Sequence, residues 1–439
     1  SNGGLAANYT LTGGTQDYTI TQRVLNSSGS KTYNANTNAL AADITLSNLV
    51  SGEALNHSGT ATIGSPNAAS YTISNLSGIT IADGSGGAAS NYTLTGGTHN
   101  FIVNRRVVGV SGTRLYDATT NAVASDLSTH ANLVGTQTLT LSGTGTIASK
   151  DVGSNKTVSV GTLALADGSN GGLAANYTLT GGTHQLTVNQ RPLNATLARQ
   201  YDGTTNAAGS TLSSLDALQG GETLTMTGSG TAASANVANG ITMSSNGNLA
   251  LANGTGAASN YSLNSTVINI AKRVLNSSGS KTYDANTNAL AADITLSNLV
   301  SGEALNHSGT ATIGSPNAAS YTISNLSGIT IADGSGGAAS NYTLTGGTHN
   351  FTVNRRVVGV SGTRLYDATT NAVASDLSTH ANLVGSETLT LSGTGTIASK
   401  DVGSNKTVTV GTLALADGSN GGLAANYTLT GGTHQLTVN

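Results

Sequence analysis

The chain has 439 residues, a net charge of −3 and charged side chains at only 8% of its positions. Its seventeen Lys and Arg residues form no basic stripe, and no apolar run reaches membrane-spanning length. This composition argues against nucleic-acid binding and membrane insertion. Glycine and proline are too few for a low-complexity chain, so the sequence predicts folded domains.

Residues 23–105 alternate apolar and polar side chains over short stretches, separated by turns rich in Gly, Asn and Ser. A period of two in segments rich in Thr, Val, Ile and Tyr predicts β-strands. The predicted strands, in chain order, are Val24–Ser27, Ile44–Leu49, Thr60–Ile63, Tyr71–Ile73, Ile79–Ile81, Tyr92–Thr95 and Phe101–Val103. About seven strands in so short a segment predict a small antiparallel β-sandwich of the immunoglobulin-like type.

Two tyrosine motifs recur along the whole chain, which indicates an internal repeat. The Tyr-Asp/Asn motif has its tyrosine at Tyr33, Tyr116, Tyr201, Tyr283 and Tyr366, at spacings of 83, 85, 82 and 83 residues. The Asn-Tyr-Thr/Ser-Leu motif has its tyrosine at Tyr9, Tyr92, Tyr177, Tyr261, Tyr342 and Tyr427. An arginine lies ten residues before each Tyr-Asp/Asn tyrosine, at Arg23, Arg106, Arg191, Arg273 and Arg356.

These markers predict five β domains, repeats 1 to 5, at 23–105, 106–190, 191–272, 273–355 and 356–439. Residues 1–22 are interpreted as the C-terminal part of a truncated repeat, because residues 1–11 match residues 169–179. Where one repeat passes into the next, as at residues 101–108, no Gly/Ser spacer intervenes. Junctions without a flexible spacer should be stiff, so the sequence predicts an extended rod.

Repeats 4 and 5 are near copies of repeats 1 and 2. Residues 23–189 reappear as 273–439 with differences at five of 167 positions. The differences are Asn34/Asp284, Ile102/Thr352, Thr136/Ser386, Gln137/Glu387 and Ser159/Thr409. An enzyme has no evident use for two such copies, whereas an array built for length does.

Two local patterns add detail to the predicted fold. Residues 207–219 of repeat 3 could hold one helical turn. The Ala-Asp-Gly…Asn-Tyr pattern, as at residues 82–92, is typical of a tyrosine corner, whose hydroxyl bonds to upstream backbone. A plain core tyrosine is the alternative, and both interpretations make the Asn-Tyr tyrosines core residues rather than ligand contacts.

The strings Tyr-Asp-Gly-Thr-Thr-Asn-Ala at 201–207 and Tyr-Asp-Ala-Thr-Thr-Asn-Ala at 116–122 make the family recognisable. Together with Asn-Tyr-Thr-Leu-Thr, they resemble the YDG repeat and related modules of large bacterial surface adhesins, including haemagglutinin-like proteins exported by two-partner secretion. Repeats 1 and 4 depart from the pattern, with Tyr-Asn-Ala-Asn-Thr-Asn-Ala and Tyr-Asp-Ala-Asn-Thr-Asn-Ala. The resemblance implies an extracellular stalk or fibre without catalysis. The absence of cysteine suits a protein that crosses the bacterial envelope unfolded, which is a hypothesis.

The sequence offers few candidate metal-binding residues. The histidines lie in no metal-ligand spacing and repeat 3 has none, so we expect no metal site and no cofactor. The histidines are His57, His99, His130, His184, His307, His349, His380 and His434. The Asp-Gly turns suggest calcium at first sight, but each offers one carboxylate and repeat 3 has Asn253 instead, so structural turns are expected. These aspartates are Asp83, Asp167, Asp333 and Asp417.

The arginines at the junctions have two interpretations. An even step of ten residues along a strand puts Arg106 and Tyr116 on one face, where they could bracket the first strand of the repeat. Alternatively, the arginine caps a sheet edge and discourages edge pairing.

The sequence therefore predicts a structural stalk or filament segment, not an enzyme, located on a bacterial cell surface. Its expected partners are neighbouring repeats and other copies in a filament or matrix, with polysaccharide or a host surface bound through other parts. The alternative is an array that binds carbohydrate or a surface repeatedly along the rod.

Overall fold

A computed structural model describes residues 4–10 and 12–439, without the side chains of His130, Ser324 and His380. Residues 1–3 and 11 of the predicted truncated repeat, and two of the eight histidine side chains, therefore lie outside the described part. Within that part the chain is all-β, with strands, short 3-10 turns and no α-helix. The prediction of an all-β chain with tandem repeats is confirmed.

The strands follow one another in the same order in successive repeats. Repeat 1 has Arg23–Val24, Asn26–Thr32, Asn38–Leu40, Ile44–Ser47, Leu55–Thr62, Ser70–Thr72, Ile79–Asp83, Tyr92–Thr93 and His99–Asn104. Repeat 2 has Arg106–Val107, Gly109–Leu115, Asn121–Val123, Leu127–Ala131, Leu139–Ser142, Thr144–Ile147, Gly153–Ser159, Ala164–Asp167, Tyr177–Thr178 and His184–Asn189. Repeat 3 has Arg191–Gln200, Thr211–Leu215, Leu224–Thr227, Thr231–Ala232, Ala238–Ser245, Ala250–Asn253 and Tyr261–Ala271.

The near copies repeat this pattern. Repeat 4 has Arg273–Val274, Asn276–Thr282, Asn288–Leu290, Ile294–Ser297, Leu305–Ile313, Ser320–Asn325, Ile329–Asp333, Tyr342–Thr343 and His349–Asn354. Repeat 5 has Arg356–Val357, Gly359–Arg364, Asn371–Val373, Leu377–Ala381, Leu389–Ser392, Thr394–Ile397, Gly403–Thr409, Ala414–Asp417, Tyr427–Thr428 and His434–Val438. The 3-10 turns are Ala6–Asn8, Ala41–Asp43, Ala89–Asn91, Ala124–Asp126, Ala174–Asn176, Ala258–Asn260, Ala291–Asp293, Ala339–Asn341, Ala374–Asp376 and Ala424–Asn426.

The first long strand of a repeat pairs in parallel with its last strand. In repeat 2, Gly109–Leu115 lies parallel to His184–Asn189 and antiparallel to Leu127–Ala131. The last strand is also antiparallel to Gly153–Ser159. The same parallel pair recurs in repeats 1, 4 and 5. The sheets are barrel-like, and the expectation of purely antiparallel pairing is wrong at this pair.

This parallel pair has a consequence for the array. Because the first and last strands run in the same direction, the chain enters a repeat at one end and leaves it at the other. An antiparallel pair would return the chain to the end where it entered. In repeats 1, 2, 4 and 5 the chain therefore leaves the repeat at the end opposite to the one where it entered.

The helical turn considered for residues 207–219 is not formed. Thr211–Leu215 is a strand that pairs antiparallel with the first strand of repeat 3, with Ala195 opposite Leu215. Pairing with a neighbouring strand overrides the weak local preference of this Ser- and Leu-containing segment. The sequence also missed the 3-10 turns, which are too short for a periodic apolar signal.

By contacts the chain divides into two units. Unit 1 contains Ser1–Leu193, Ala217–Leu224 and Leu251–Ser262, and the remaining residues form unit 2. Repeats 1 and 2 thus belong to unit 1, repeats 4 and 5 to unit 2, and repeat 3 contributes to both. Within unit 2, one apolar cluster includes Phe351 of repeat 4 and Leu436 of repeat 5, so the core continues through their junction.

Candidate functional site: the junctions between repeats

The tyrosine of the Asn-Tyr motif lies in the core in repeats 1 to 5, whereas Tyr9, in the segment before repeat 1, is 77% exposed. A 3-10 turn precedes each core tyrosine, and the carboxylate of the Asp-Gly turn accepts a backbone hydrogen bond at that turn, as from Ala174 N–H to Asp167 at 2.7 Å. The tyrosine then pairs with the first two-residue strand, with Tyr177 opposite Arg106. The rings of Tyr92, Tyr177, Tyr261, Tyr342 and Tyr427 are all buried.

Four of these five buried tyrosines, all except Tyr92, meet a Tyr-Asp/Asn tyrosine of the repeat before them. The two rings cross edge to face, a favourable geometry for aromatic pairs. The pairs and their centroid distances are Tyr33–Tyr177 at 5.4 Å, Tyr116–Tyr261 at 5.2 Å, Tyr201–Tyr342 at 5.4 Å and Tyr283–Tyr427 at 5.4 Å. Both families of tyrosine predicted as structural markers therefore come together at four junctions, two in each unit.

A glutamate or glutamine of the following repeat joins the two hydroxyl groups. At the junction of repeats 4 and 5, Tyr283 donates to Glu387 Oε1 at 2.8 Å and Tyr427 donates to Oε2 at 2.5 Å. Glu222 and Glu303 receive their tyrosine pairs in the same way. At the first junction the acceptor is Gln137, which also donates from its amide to the Tyr33 hydroxyl at 3.0 Å.

The hydroxyl of the Asn-Tyr tyrosine also contacts upstream backbone. Val134 N–H donates to the Tyr177 hydroxyl at 3.1 Å, and the equivalent bond recurs in the other four repeats. Part of the tyrosine-corner expectation is therefore observed. The backbone group lies 42 or 43 residues upstream rather than in the adjoining turn.

The asparagine of the Asn-Tyr motif clamps a loop of the preceding repeat. Asn260 accepts a hydrogen bond from Val152 N–H and donates to Asp151, both at 2.9 Å. Asn176, Asn341 and Asn426 make the same two contacts with the corresponding loops. All four side chains are buried, so their amides contribute directional hydrogen bonds in a place where an unpaired polar group would be costly.

The junction arginines bind carbonyl groups at the same interface. Arg106 donates to the carbonyl of Asn132 at 2.5 Å in its own repeat and to the carbonyl of Tyr33 at 3.3 Å in the previous one. Arg191, Arg273 and Arg356 likewise bond the carbonyl of the preceding Tyr-Asp/Asn tyrosine. Arg23 binds Asn48 through both its backbone and its side-chain oxygen. Each of the four arginines from Arg106 to Arg356 therefore contacts the backbone of the Tyr-Asp/Asn tyrosine in the previous repeat. The first interpretation had paired each arginine with the tyrosine ten residues later in its own repeat.

The junction of repeats 2 and 3 has an additional charge pair. Lys150 forms an ion pair with Glu222 and donates to the Tyr116 hydroxyl at 2.8 Å. Burial raises the pKa of Glu222, but hydrogen bonds from Lys150, Tyr116 and Tyr261 outweigh it and hold that pKa below its ordinary value. The bond to Glu222 raises the pKa of Lys150, so this junction stays an ion pair at neutral pH.

The Tyr-Asp-Gly-Thr-Thr-Asn-Ala motif and its variants form a loop around a positively charged side chain. This side chain belongs to the residue two positions before the tyrosine. In repeat 2 it is Arg114, which pairs with Asp117 and donates to the Thr119 carbonyl at 2.6 Å. Asp117 in turn accepts from Thr119 N–H at 2.9 Å and closes the turn. In repeat 1, Lys31 takes the place of arginine and bonds the carbonyl groups of Asn36 and Asn38. The equivalent cations are Arg199, Lys281 and Arg364.

The other candidate side chains stabilise turns. His99 bonds the Leu94 carbonyl at 2.8 Å and the Ser27 hydroxyl at 2.9 Å, and His57 bonds two carbonyl groups near residues 41–44. In repeat 3, Asn253 accepts from Ala258 N–H just as the aspartates of the other Asp-Gly turns do from theirs. Among the described side chains, which exclude those of His130 and His380, no three His, Asp or Glu residues come close enough to form a metal site. The described residues include no helix long and apolar enough to cross a membrane.

Sequence reasoning missed the glutamates and asparagines of the junctions. A signal was present, because the only glutamates of the chain are Glu53, Glu222, Glu303 and Glu387. They recur at the repeat period, with Gln137 in the remaining repeat. A rare residue type that recurs at a fixed place in each repeat indicates a specific contact.

A chain of short β repeats with one interface repeated four times is, as a class, a tandem β-repeat array. Comparison with protein families identifies the module: the YDG domain model matches residues 16–99, 104–185, 184–268, 271–349 and 352–434. The chain belongs to the YDG domain family, with five tandem domains, which confirms the resemblance to YDG repeats. No curated protein matches the chain significantly.

The side chain of Glu387 accepts hydrogen bonds from two tyrosine hydroxyl groups. Glutamine should be able to replace it there, whereas alanine should not. We expect Glu387→Ala to leave two buried hydroxyl groups without their acceptor, at a cost of about 1–3 kcal/mol each. Glu387→Gln should cost much less, because Gln137 fills the same place between repeats 1 and 2. Chemical denaturation of both variants measures the difference. Equal losses of stability in the two variants would show that an amide cannot replace the carboxylate, and no loss in either variant would show that the acceptor is dispensable.

The junction tyrosines should make the array sensitive to high pH. Burial, with bonds to glutamate, raises the pKa of Tyr201, Tyr261, Tyr283 and Tyr427 to about 12. A tyrosine whose pKa is higher in the folded state stabilises that state fully below the unfolded value near 10. The stabilisation is lost as the pH rises from about 10 to about 12.

Tyrosinate absorbance and circular dichroism recorded together test this expectation. The buried junction tyrosines should ionise only as the circular dichroism signal of the β-strands is lost. Ionisation of all fourteen tyrosines near pH 10 with the β signal intact would contradict the buried junctions.

Proposed function

We propose that this chain is a non-catalytic structural segment of a bacterial extracellular adhesin or surface filament, where it supplies reach and stiffness. The observation that carries the proposal is the junction, in which the same ring pair, acceptor, asparagine clamp and arginine recur four times. A recurring interface between consecutive modules resists bending at each step. Extracellular location and adhesin context follow from the resemblance of the repeats to adhesin modules.

We further propose that each repeat, with the boundaries predicted from sequence, is an independent immunoglobulin-like β-sandwich, and that the repeats form a semi-rigid rod. Parallel first and last strands support this arrangement, since they carry the chain through a repeat from end to end. An extended segment of ten residues, such as Arg191–Gln200 in repeat 3, rises about 33 Å, which gives repeats of about 30–40 Å and an array of about 150–200 Å.

A repeated carbohydrate-binding array is the weaker candidate. Such an array would use exposed aromatic pairs to stack on sugar rings. The four aromatic pairs that the structure describes have at least one buried ring each and lie between repeats. Their hydroxyl groups are bonded to Glu or Gln rather than directed to solvent, which favours the structural role.

Labelling of intact source cells tests the surface role. An antibody raised against residues 106–190 should decorate fibres outside the envelope in electron micrographs. Deletion of repeats 3 to 5 from the gene should bring the distal end of the fibre closer to the cell. Label confined to the cell interior would contradict the proposal.

A further inference from the structure

The first long strand and the last strand of a repeat form its terminal pair, through which tension along the chain enters and leaves the repeat. In repeat 2 the pair consists of Gly109–Leu115 and His184–Asn189, with six residues of each strand in parallel register. The same parallel pair is present in repeats 1, 4 and 5. Because the two strands run in the same direction, tension pulls the first strand backward and the last strand forward, along a common axis.

The direction of a pull decides how many hydrogen bonds resist it. When two strands are sheared along their length, all the bonds between them carry the load and must break together. When the strands are peeled apart from one end, the load falls on one bond at a time. The bonds of a parallel pair are evenly spaced along its length. The terminal pair therefore resists tension along the chain with all of its bonds at once.

Further backbone bonds extend the terminal pair at both of its ends. Before it, Val108 N–H donates to the carbonyl of Thr178 at 2.9 Å. After it, Tyr116 N–H donates to the carbonyl of Asn189, also at 2.9 Å. The Tyr-Asp/Asn tyrosine makes the same backbone bond in the other repeats: Tyr33 to Asn104, Tyr201 to Ala271, Tyr283 to Asn354 and Tyr366 to Asn439. The backbone of the tyrosine motif therefore adds a bond where the chain leaves each repeat.

The terminal pair lies in the middle of its sheet, away from the edges. In repeat 2, Leu127–Ala131 flanks the first strand and Gly153–Ser159 flanks the last one, both antiparallel. Val110 and Leu186 are 0% exposed, and Val188 is 1% exposed. A hydrogen bond that is shielded from water is electrostatically stronger than an exposed one. The flanking strands and the buried side chains therefore strengthen the bonds that carry the load.

We propose that the terminal pair makes repeats 1, 2, 4 and 5 resistant to unfolding by tension along the chain. This resistance is distinct from the stiffness proposed above, because the junctions oppose bending between repeats whereas the terminal pair opposes the unfolding of one repeat. The source of the tension rests on the proposed function, since a surface stalk is pulled between its anchor and whatever its tip holds. The resistance itself is a property of each repeat, so it can be measured on the purified chain.

Force spectroscopy of the full chain tests the proposal by loading repeat 2 in two directions. The chain has no cysteine, so two introduced cysteines define the points of attachment, and only the residues between them carry the load. A chain with Arg105→Cys and Gln190→Cys shears the terminal pair. A chain with Leu115→Cys and Gln190→Cys peels the same two strands apart from one end. All three positions are exposed, so both chains should unfold close to the wild-type denaturant concentration.

At the same pulling speed, we expect the sheared chain to unfold at a severalfold larger force than the peeled chain. Forced unfolding is governed by the unfolding rate rather than by equilibrium stability, so two chains of equal stability can differ in force. Unfolding of repeat 2 in the sheared chain should release about 250–300 Å, from about 3.3–3.6 Å per extended residue. Equal forces in the two directions would overturn the proposal and leave the surface role standing. A chain found only inside cells would overturn the surface role and leave the force difference standing.

Two leucine variants of the sheared chain separate the terminal pair from the stability of the whole repeat. Leu186 lies in the last strand opposite Gly112, whereas Leu139 lies in a strand that pairs with Ala164–Asp167 outside the sheet of the terminal pair. Both leucines are buried, so Leu186→Ala and Leu139→Ala should both unfold at lower denaturant concentration. Only Leu186→Ala should also lower the shear force. An equal decrease in force for Leu139→Ala would overturn the proposal.

Discussion

Replacement of Tyr342 by alanine is expected to unfold repeat 4 and to detach it from repeat 3. The ring is 1% exposed, crosses Tyr201 edge to face and holds Glu303 and the backbone of Val300 through its hydroxyl. Loss of a buried aromatic side chain costs about 3–5 kcal/mol, and the ring pair adds about 0.5–1.5 kcal/mol. The free energy of unfolding of a small domain is only about 5–15 kcal/mol, so the substitution removes a large share of it.

Hydrogen exchange read by mass spectrometry measures this effect repeat by repeat. Peptides that contain Thr352 report on repeat 4, and those with Ile102 report on its near copy, repeat 1. In the variant, protection should be lost in repeat 4 and reduced at residues 236–237 of repeat 3. The matched control is Tyr92→Ala, which should remove protection from repeat 1 and leave repeats 3 and 4 unchanged. Unchanged protection in Tyr342→Ala would contradict the core role of the motif.

Replacement of Gly112 by alanine is expected to destabilise repeat 2 by at least about 3 kcal/mol, the upper part of the range for overpacking. Gly112 lies opposite Leu127 in the pairing of the first long strand. A methyl group there would overlap the carbonyl oxygen of Asp126 and lie 2.7 Å from its carbonyl carbon. Both atoms are backbone, so neither a rotamer change nor a flexible side chain can relieve the overlap.

Gly64→Ala is the matched control, because nothing lies within 4 Å of a methyl group at that position. We expect it to change stability by less than about 0.5 kcal/mol. Calorimetry of the full chain should show part of the unfolding heat at a lower temperature for Gly112→Ala only. Identical traces for the two variants would show that the strand pair tolerates the methyl group.

The strands could be predicted because their alternation is a local property. The burial of the strand His99–Asn104 alternates strictly, with Phe101 and Val103 inside, as the apolar period indicated. Pairing partners could not be predicted in the same way, since sequence alternation is identical for parallel and antiparallel neighbours. The parallel contact of the first and last strands depends on how the whole repeat closes.

The junctions were predicted only in part. The tyrosines and arginines stood out because they recur at a fixed period, but their partners lie about 70 to 110 residues away in the neighbouring repeat. No local pattern relates Asn176 to Asn67, or Tyr283 to Glu387. The helical turn considered at residues 207–219 failed for a similar reason, because its conformation is decided by strand pairing with residues 195–198.

Small-angle X-ray scattering of the full chain tests most directly the proposal that these junctions hold the repeats end to end. We predict the profile of a semi-rigid rod with a maximum dimension of about 150–200 Å, from strands that rise about 3.3 Å per residue. A variant with Glu222→Ala, Glu303→Ala and Glu387→Ala should keep its β signal but scatter as a flexible string of domains. A compact globule for the wild-type chain, or a flexible string already in the wild type, would contradict the account.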